Sequence, residues 1–347
     1  MPLLLLLLLS WVVAVAPIQA GETGRLSEQA ARQRLAEAGL SNEGFLWLLP
    51  AEERLVRQLD SLDRLAREVR NAEKRVDALI EQNESRRREL LQTEQLLRQL
   101  EAAVNDPRPT AEQKAQLKQR IEVVKARRAQ LRQLYLPSEK FAEHHQVRHE
   151  VIRWINARNE LGLLIRLLPE ARFELQAAYE QLERQPVIVA ALAAAGEQHR
   201  LGSGRDYDRR LSRLHEFEPL AFSQVVPLYI AAGRPRVSAL VNERAVATFT
   251  WEEASGPTLL PESLLARAGA TDLAAAPVEQ LRYGGRTLRG RAVTVAYLRL
   301  GDRVASDVSV LALPPEHEDV GCVLRTGSIS NFLSKPNFDK VRLEFER

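Results

Sequence analysis

The sequence predicts a multidomain α plus β protein, in which a long antiparallel coiled-coil helical region precedes a small all-β domain. Three observations predict it. An apolar residue recurs every seven positions from Leu55, a proline-containing break interrupts the pattern at Asn105–Pro109, and after Pro219 the text changes to short β-branched runs separated by turn residues. With 347 residues, 45% of them hydrophobic, the chain can bury more than one core. Its 49 Lys and Arg against 46 Asp and Glu leave a formal charge of +3, and the charges are interspersed, which excludes the basic stripe of a nucleic-acid binder.

Met1–Ala20, MPLLLLLLLSWVVAVAPIQA, has the apolar run and small-residue end of a signal peptide, although no Lys or Arg stands near Met1. The run is shorter than the roughly 20 residues of a membrane span, so no span is expected after its removal. Cys322 is the only cysteine, which rules out an intrachain disulfide and fits export to a periplasm or cell surface. A short helical segment is expected over 21–50.

The coiled-coil hairpin occupies 51–136. Leu55, Leu62, Val69, Val76, Asn83, Leu90, Leu97 and Val104 form the main seam, with Leu65, Ala72, Leu79 and Leu100 beside it. Asn83 on that seam is a register-setting amide. The prolines at 107 and 109 stop the helix, and Thr110 caps a second one carrying Leu117, Ile121, Val124, Leu131 and Tyr135. A helical region and linker follows over 137–218. Helices are expected from Pro137 to Arg166, from Pro169 to Arg184, over the alanine-rich Val187–Ala195 closed by Gly196, and over Arg205–Glu218 after a flexible Gly202-Ser203-Gly204.

The β-domain, 219–347, shows strands at Val225–Ile230, Arg236–Val241, Ala245–Trp251, Arg291–Leu300 and Val304–Leu313. A helix begins at Pro261 and ends at Gly269, and Tyr283-Gly284-Gly285-Arg286 makes a hairpin turn. Several segments of this region form a pattern: Val226-Pro227-Leu228-Tyr229-Ile230, the stretch FTWEEASGPTLL from Phe249, Thr258-Leu259-Leu260-Pro261, Gly284-Gly285-Arg286-Thr287 and Val310–Pro315. Val323-Leu324-Arg325 and Gly327–Phe332 complete it. The pattern resembles the retropepsin-like aspartyl proteases over roughly Val225–Phe345. The resemblance implies a small β-barrel whose monomer supplies one catalytic carboxylate and whose homodimer supplies two. It sets Glu252 at the family's aspartate, Glu253 at its threonine or serine and Ala254 at its glycine, with Ser255 and Gly256 completing the turn. Tyr283, Gly284 and Gly285 fall in a flap-like turn.

The departures fall on the chemistry. Two aspartates sharing a proton activate water only in tight geometry, and a displacement of about 1 Å can cost about a hundredfold. Glu252 adds a methylene, Ala254 adds a side chain where the backbone turns sharply, and Arg325 replaces a small glycine. The implied function is that of an exported coiled-coil protein whose retropepsin-like domain is a pseudoprotease that binds protein or peptide. Two alternatives stand beside it: an aspartic-type endopeptidase working as a homodimer through Glu252, and a structural cell-envelope protein whose working part is the hairpin. Homo-oligomers through the coiled coil or the β-domain are expected, with no cofactor and no metal. His145 and His149 have metal-ligand spacing, but no HExxH surrounds them, so a solvated histidine cluster with His144 is expected. Cys322 and Trp154 read as packing residues.

Overall fold

A computed structural model of the chain describes residues 26–329 and 334–345. The expected signal peptide and the Asn331-Phe332 end of the closing motif lie outside the described residues. Chain contacts divide the protein into two compact units, one of residues 26–63 with Leu167–Glu216 and one of Arg64–Arg166 with Phe217 onward. No helix among the described residues is long and apolar enough to cross a membrane.

The chain opens with α1 (Glu28–Glu37), capped by the Ser27 hydroxyl, and then β1 (Ser41–Glu43) and β2 (Leu46–Leu48). These two strands pair antiparallel, so the expected helical segment 21–50 contains a hairpin as well as a helix. Gly44, at φ +67, supplies the turn, and Trp47, Leu48 and Leu49 are buried.

Helix α2 (Pro50–Asn105) starts on a proline with Glu52 and Glu53 in its first turn, a favourable arrangement at a helix N-terminus. It is followed by α3 (Ala111–Leu134), where Thr110 and Gln113 form the two bonds of a capping box. Leu97, Leu100 and Ile121 are buried together against Val104, Leu117 and Val124. Glu89 pairs with Arg127 and Glu94 with Arg132 across the two helices. Asn83 is buried, but its amide does not meet a matching amide. It donates to the Leu136 carbonyl at 2.9 Å and accepts from the Leu136 N–H at 3.1 Å, which fixes where the chain leaves α3.

The helix expected from Pro137 to Arg166 breaks at His144 into α4 (Ser138–Glu143) and α5 (His145–Glu183). Pro169 does not restart a helix but lies inside α5. Leu164, Ile165, Leu168 and Leu175 on either side of it are all buried, and that packing carries the helix past one missing backbone bond. Next come α6 (Pro186–Ala195), closed by Gly196 at φ +127, β3 (Arg200–Leu201) parallel to β2, α7 (Arg205–Leu211) and α8 (Leu214–Ala221). The single helix expected over Arg205–Glu218 is thus two, and Pro219 lies inside the second. Gly204 is buried with its N–H on the Glu52 carboxylate at 2.7 Å, so Gly202-Ser203-Gly204 is pinned at its end.

The sheet comprises β4 (Val226–Ala231), β5 (Arg234–Val241), β6 (Ala245–Glu252), β7 (Thr258–Pro261), β8 (Val278–Tyr283), β9 (Arg286–Leu300), β10 (Arg303–Leu313), β11 (Cys322–Arg325), β12 (Ser334–Asn337) and β13 (Arg342–Phe345). Helix α9 (Glu262–Arg267) follows β7. The strand order is β12-β13-β4-β5-β6-β11-β7-β10-β9-β8, and β5 also pairs with β9. The pairings β5-β6-β11-β7-β10-β9-β5 therefore close a ring of six strands. Strand β11 lies between two strands that precede it, parallel to β6 and antiparallel to β7.

Neighbouring residues of β7, β10 and β11 face different cores. Leu260, Ala312 and Leu324 belong to the large cluster around Phe249, whereas Leu259, Leu311, Leu313 and Val323 pack with Leu288. Burial on both faces explains why these strands read as continuous apolar runs. Trp154 and Ile155 are buried packing residues of α5. One turn further along, Arg158 donates from Nε to Ala221 O at 2.7 Å, from Nη2 to Ser223 O at 2.9 Å and from Nη1 to Val225 O. Burial lowers the pKa of this guanidinium to about 10.

Candidate functional site

Glu252 is the last residue of β6, and strand pairing puts Arg325, the last residue of β11, directly beside it. Parallel neighbours share a face, so a carboxylate and a guanidinium emerge together at the same end of the ring. The loop 253–257 then folds back. Ala254 N–H bonds to Glu252 O at 3.0 Å, and Gly327 N–H bonds to Ala254 O at 3.0 Å.

The expectation of strain at Ala254 is corrected here. Its φ is not positive, and the left-handed residue of the loop is Gly256 at φ +103. A Cβ on Gly256 would come within 3.0 Å of Arg325 Nη1, so the glycine both turns the loop and makes room for the guanidinium. The far side of Arg325 is fixed by its backbone. Its N–H donates to Thr258 Oγ1 at 3.4 Å, and its carbonyl accepts from Ser328 Oγ at 2.8 Å.

Three side chains meet at Glu252. The Tyr283 hydroxyl donates to Oε1 at 2.7 Å, and Arg234 Nη1 reaches the same oxygen at 3.5 Å and the Tyr283 hydroxyl at 3.2 Å. Arg325 Nε stands 3.8 Å from Oε2, with its guanidinium 5.5 Å from the Tyr283 ring centre and Nη1 donating to Ser255 O at 3.3 Å. The two arginines differ in surroundings: the Arg325 side chain is 9% exposed and Arg234 is 56% exposed. Burial, then the hydrogen bond to Glu252, pushes the Tyr283 hydroxyl above its ordinary pKa.

The structure thus unites Glu252 with Tyr283 and leaves other expected residues outside the contact. Glu253 is exposed, and Ser255 contributes a carbonyl. Gly284 and Gly285 form the turn at φ +57 and +79. Sequence reasoning flagged Arg325 only as a disturbance and missed Arg234 altogether. No local signal points to Arg234, because its contact with Glu252 depends on the register of β5 against β6 and its contact with Tyr283 joins residues 49 positions apart.

The other candidates separate from this site. The His144 and His145 rings lie 4.5 Å apart, and burial followed by the neighbouring His145 lowers the His144 pKa. Among the described residues no group of three or more His, Cys, Asp or Glu could hold a metal ion. Burial raises the Cys322 thiol pKa to about 11, far from the range of a nucleophilic thiolate. In the other unit, Glu52 is buried and accepts from Tyr179 Oη at 2.6 Å and Gly204 N at 2.7 Å, while Tyr179 Oη accepts from Leu49 N at 2.9 Å. Burial raises the pKa of both Glu52 and Tyr179. With both carboxylate oxygens engaged, this cluster ties three chain segments together. No family model, curated protein or solved structure matches the chain.

Proposed function

We propose that residues 226–345 form a retropepsin-like barrel whose catalytic position is closed by its own side chains, and that this domain binds extended protein segments without cutting them. The observation that carries the reading is the occupied Glu252 carboxylate. Water activation needs a carboxylate oxygen free to take a proton from the attacking water. Here Oε1 is engaged by Tyr283 and Arg234, and Oε2 faces a buried arginine of the same chain. The closed ring of six strands, and β11 inserted between β6 and β7, support the barrel and the family resemblance.

Binding needs no catalytic acid. An extended segment can add to the outer edge of β8, where backbone hydrogen bonds supply affinity. In the same proposal α2 and α3 form an antiparallel coiled-coil hairpin. Its support is that Asn83 meets Leu136 while the later Leu97 and Leu100 meet the earlier Leu117 and Ile121. The protein is exported and acts in a periplasm or at a cell surface, self-associating through the hairpin or the barrel.

The test is cleavage of an unfolded protein substrate by Gly21–Arg347 from about pH 3.5 to 7, with Glu252→Gln alongside, because a carboxylate pair gives an acid optimum. No cleavage by folded protein is the expected result. Cleavage that disappears in a Glu252→Gln variant with an unchanged far-ultraviolet spectrum overturns the proposal and establishes a glutamate-based endopeptidase.

A further inference from the structure

We infer that the free edge of β8 selects acidic extended segments, a partner class that rests on the strand-addition reading above. Among the described residues β8 ends the strand order and pairs only with β9. Gly284 and Gly285 close a two-residue loop between Tyr283 and Arg286, both glycines with positive φ. In such a hairpin the flanking pair exchanges both backbone hydrogen bonds and the pattern then alternates. Tyr283, Leu281 and Glu279 therefore turn their backbone groups toward β9. Arg282, Gln280 and Val278 turn theirs outward.

The same alternation sorts the side chains. Leu281, Tyr283 and Leu288 pack into the smaller core. Val278, Gln280 and Arg282 share the opposite face with their β9 partners Arg291, Arg289 and Thr287. Each residue that offers its backbone to an incoming strand thus also presents its side chain on this second face. Arg282 and Arg289 are exposed diagonal neighbours there, and among the described residues neither has an ion-pair partner. By contrast, Arg286 pairs with Asp319 and Arg291 with Glu262. Glu279, the one acidic residue of the sequence 278–291, belongs to the other face.

A strand laid on β8 would bring alternate side chains beside Gln280 and Arg282, within reach of Arg289. Carboxylates there meet two free guanidiniums, and lysines meet like charge. The competing account is that Arg282 only protects an exposed edge from pairing with anything. The two accounts differ in whether a peptide binds at all.

The experiment titrates dye-labelled ten-residue peptides with the full chain and reads fluorescence anisotropy. The peptides alternate Val with Glu, Gln or Lys, and a fourth peptide repeats the Glu sequence with N-methyl groups on alternate amides. The Glu peptide is expected to bind about tenfold more tightly than the Gln peptide at low salt, the size of two exposed ion pairs. The difference should shrink at about 1 M salt. In the Arg282→Glu, Arg289→Glu double variant the preference should pass to the Lys peptide, with an unchanged far-ultraviolet spectrum reporting an intact fold. Equal binding of the Glu and Gln peptides overturns the acidic preference and leaves strand addition standing. Absence of binding by every peptide, or binding indifferent to N-methylation, overturns strand addition and the inference with it.

Discussion

At position 252 a glutamate reaches from the end of β6 to the Tyr283 hydroxyl, and Arg325 lies beside it nine-tenths buried. A buried cation that loses its counter-ion costs about 3–5 kcal/mol, whereas a half-exposed pair such as Arg234 with Glu252 is worth about 1 kcal/mol or less. Arg325 therefore decides what Glu252 does for the fold. Glu252→Gln is expected to destabilise the protein by about 3 kcal/mol in urea unfolding. A catalytic acid behaves oppositely, since its replacement commonly leaves stability unchanged or raises it. The same variant acts on Tyr283, whose pKa is raised by burial and then by the Glu252 carboxylate. Removing that charge should lower the Tyr283 titration midpoint toward, but not to, the ordinary value of about 10, as read by ultraviolet difference spectroscopy. Because the folded pKa is raised, Tyr283 contributes stability below about pH 10 that is lost as pH rises through its folded value. Glu252 and the Tyr283 turn were legible in the sequence. The role of Arg325 as a counter-ion was not, because a side chain's partner depends on strand register.

Among the elements, the caps and the interruptions had different fates in the sequence. Thr110 with Gln113, the prolines at 107 and 109, and Gly196 act locally, so their positions could be read directly. Pro169 could not, because the burial of Ile165, Leu168 and Leu175 overrides its local preference. Pro169 is itself exposed, so Pro169→Ala restores a backbone donor without opening a cavity. That substitution should stabilise the protein by about 1 kcal/mol or more in thermal unfolding. A fall in stability would show that the helix depends on the proline. Asn83 marks the same divide: its seam position was legible, and its bonds to the Leu136 backbone appear only once α2 and the end of α3 are brought together.

For the molecule as a whole, the compact unit built from Arg64–Arg166 and Phe217 onward mixes long helices with the sheet. Arg158 joins the two parts through the carbonyls of Ala221, Ser223 and Val225. Asn159 donates to Ser238 at 2.7 Å, and Arg166 and Arg299 share Glu243. A unit stitched in this way should unfold as one. Arg158→Met takes a donor from each of three carbonyls, of which Ser223 O keeps the Asp302 N–H and Val225 O keeps the Ser223 hydroxyl, and should cost about 2 kcal/mol. The loss should appear at the same urea concentration in helical dichroism and in the fluorescence of a variant retaining Trp251 as its sole indole. Separate midpoints would show that helices and sheet are independent.

The sequence by itself determined the long helices on either side of the break at 105–109, the strands β4, β5, β6, β10 and most of β9, and that Glu252 sits at the end of a strand in a turn of small residues. Those properties depend on periodicity, capping and turn chemistry, all of which act within a few residues. Only the tertiary structure decided that β11 runs between β6 and β7 and that β5 meets β9 to close the ring. It likewise decided that Arg325, Tyr283 and Arg234 converge on one carboxylate. The reason is that register couples residues many positions apart, and a slip of a single residue would turn each of those side chains to the opposite face.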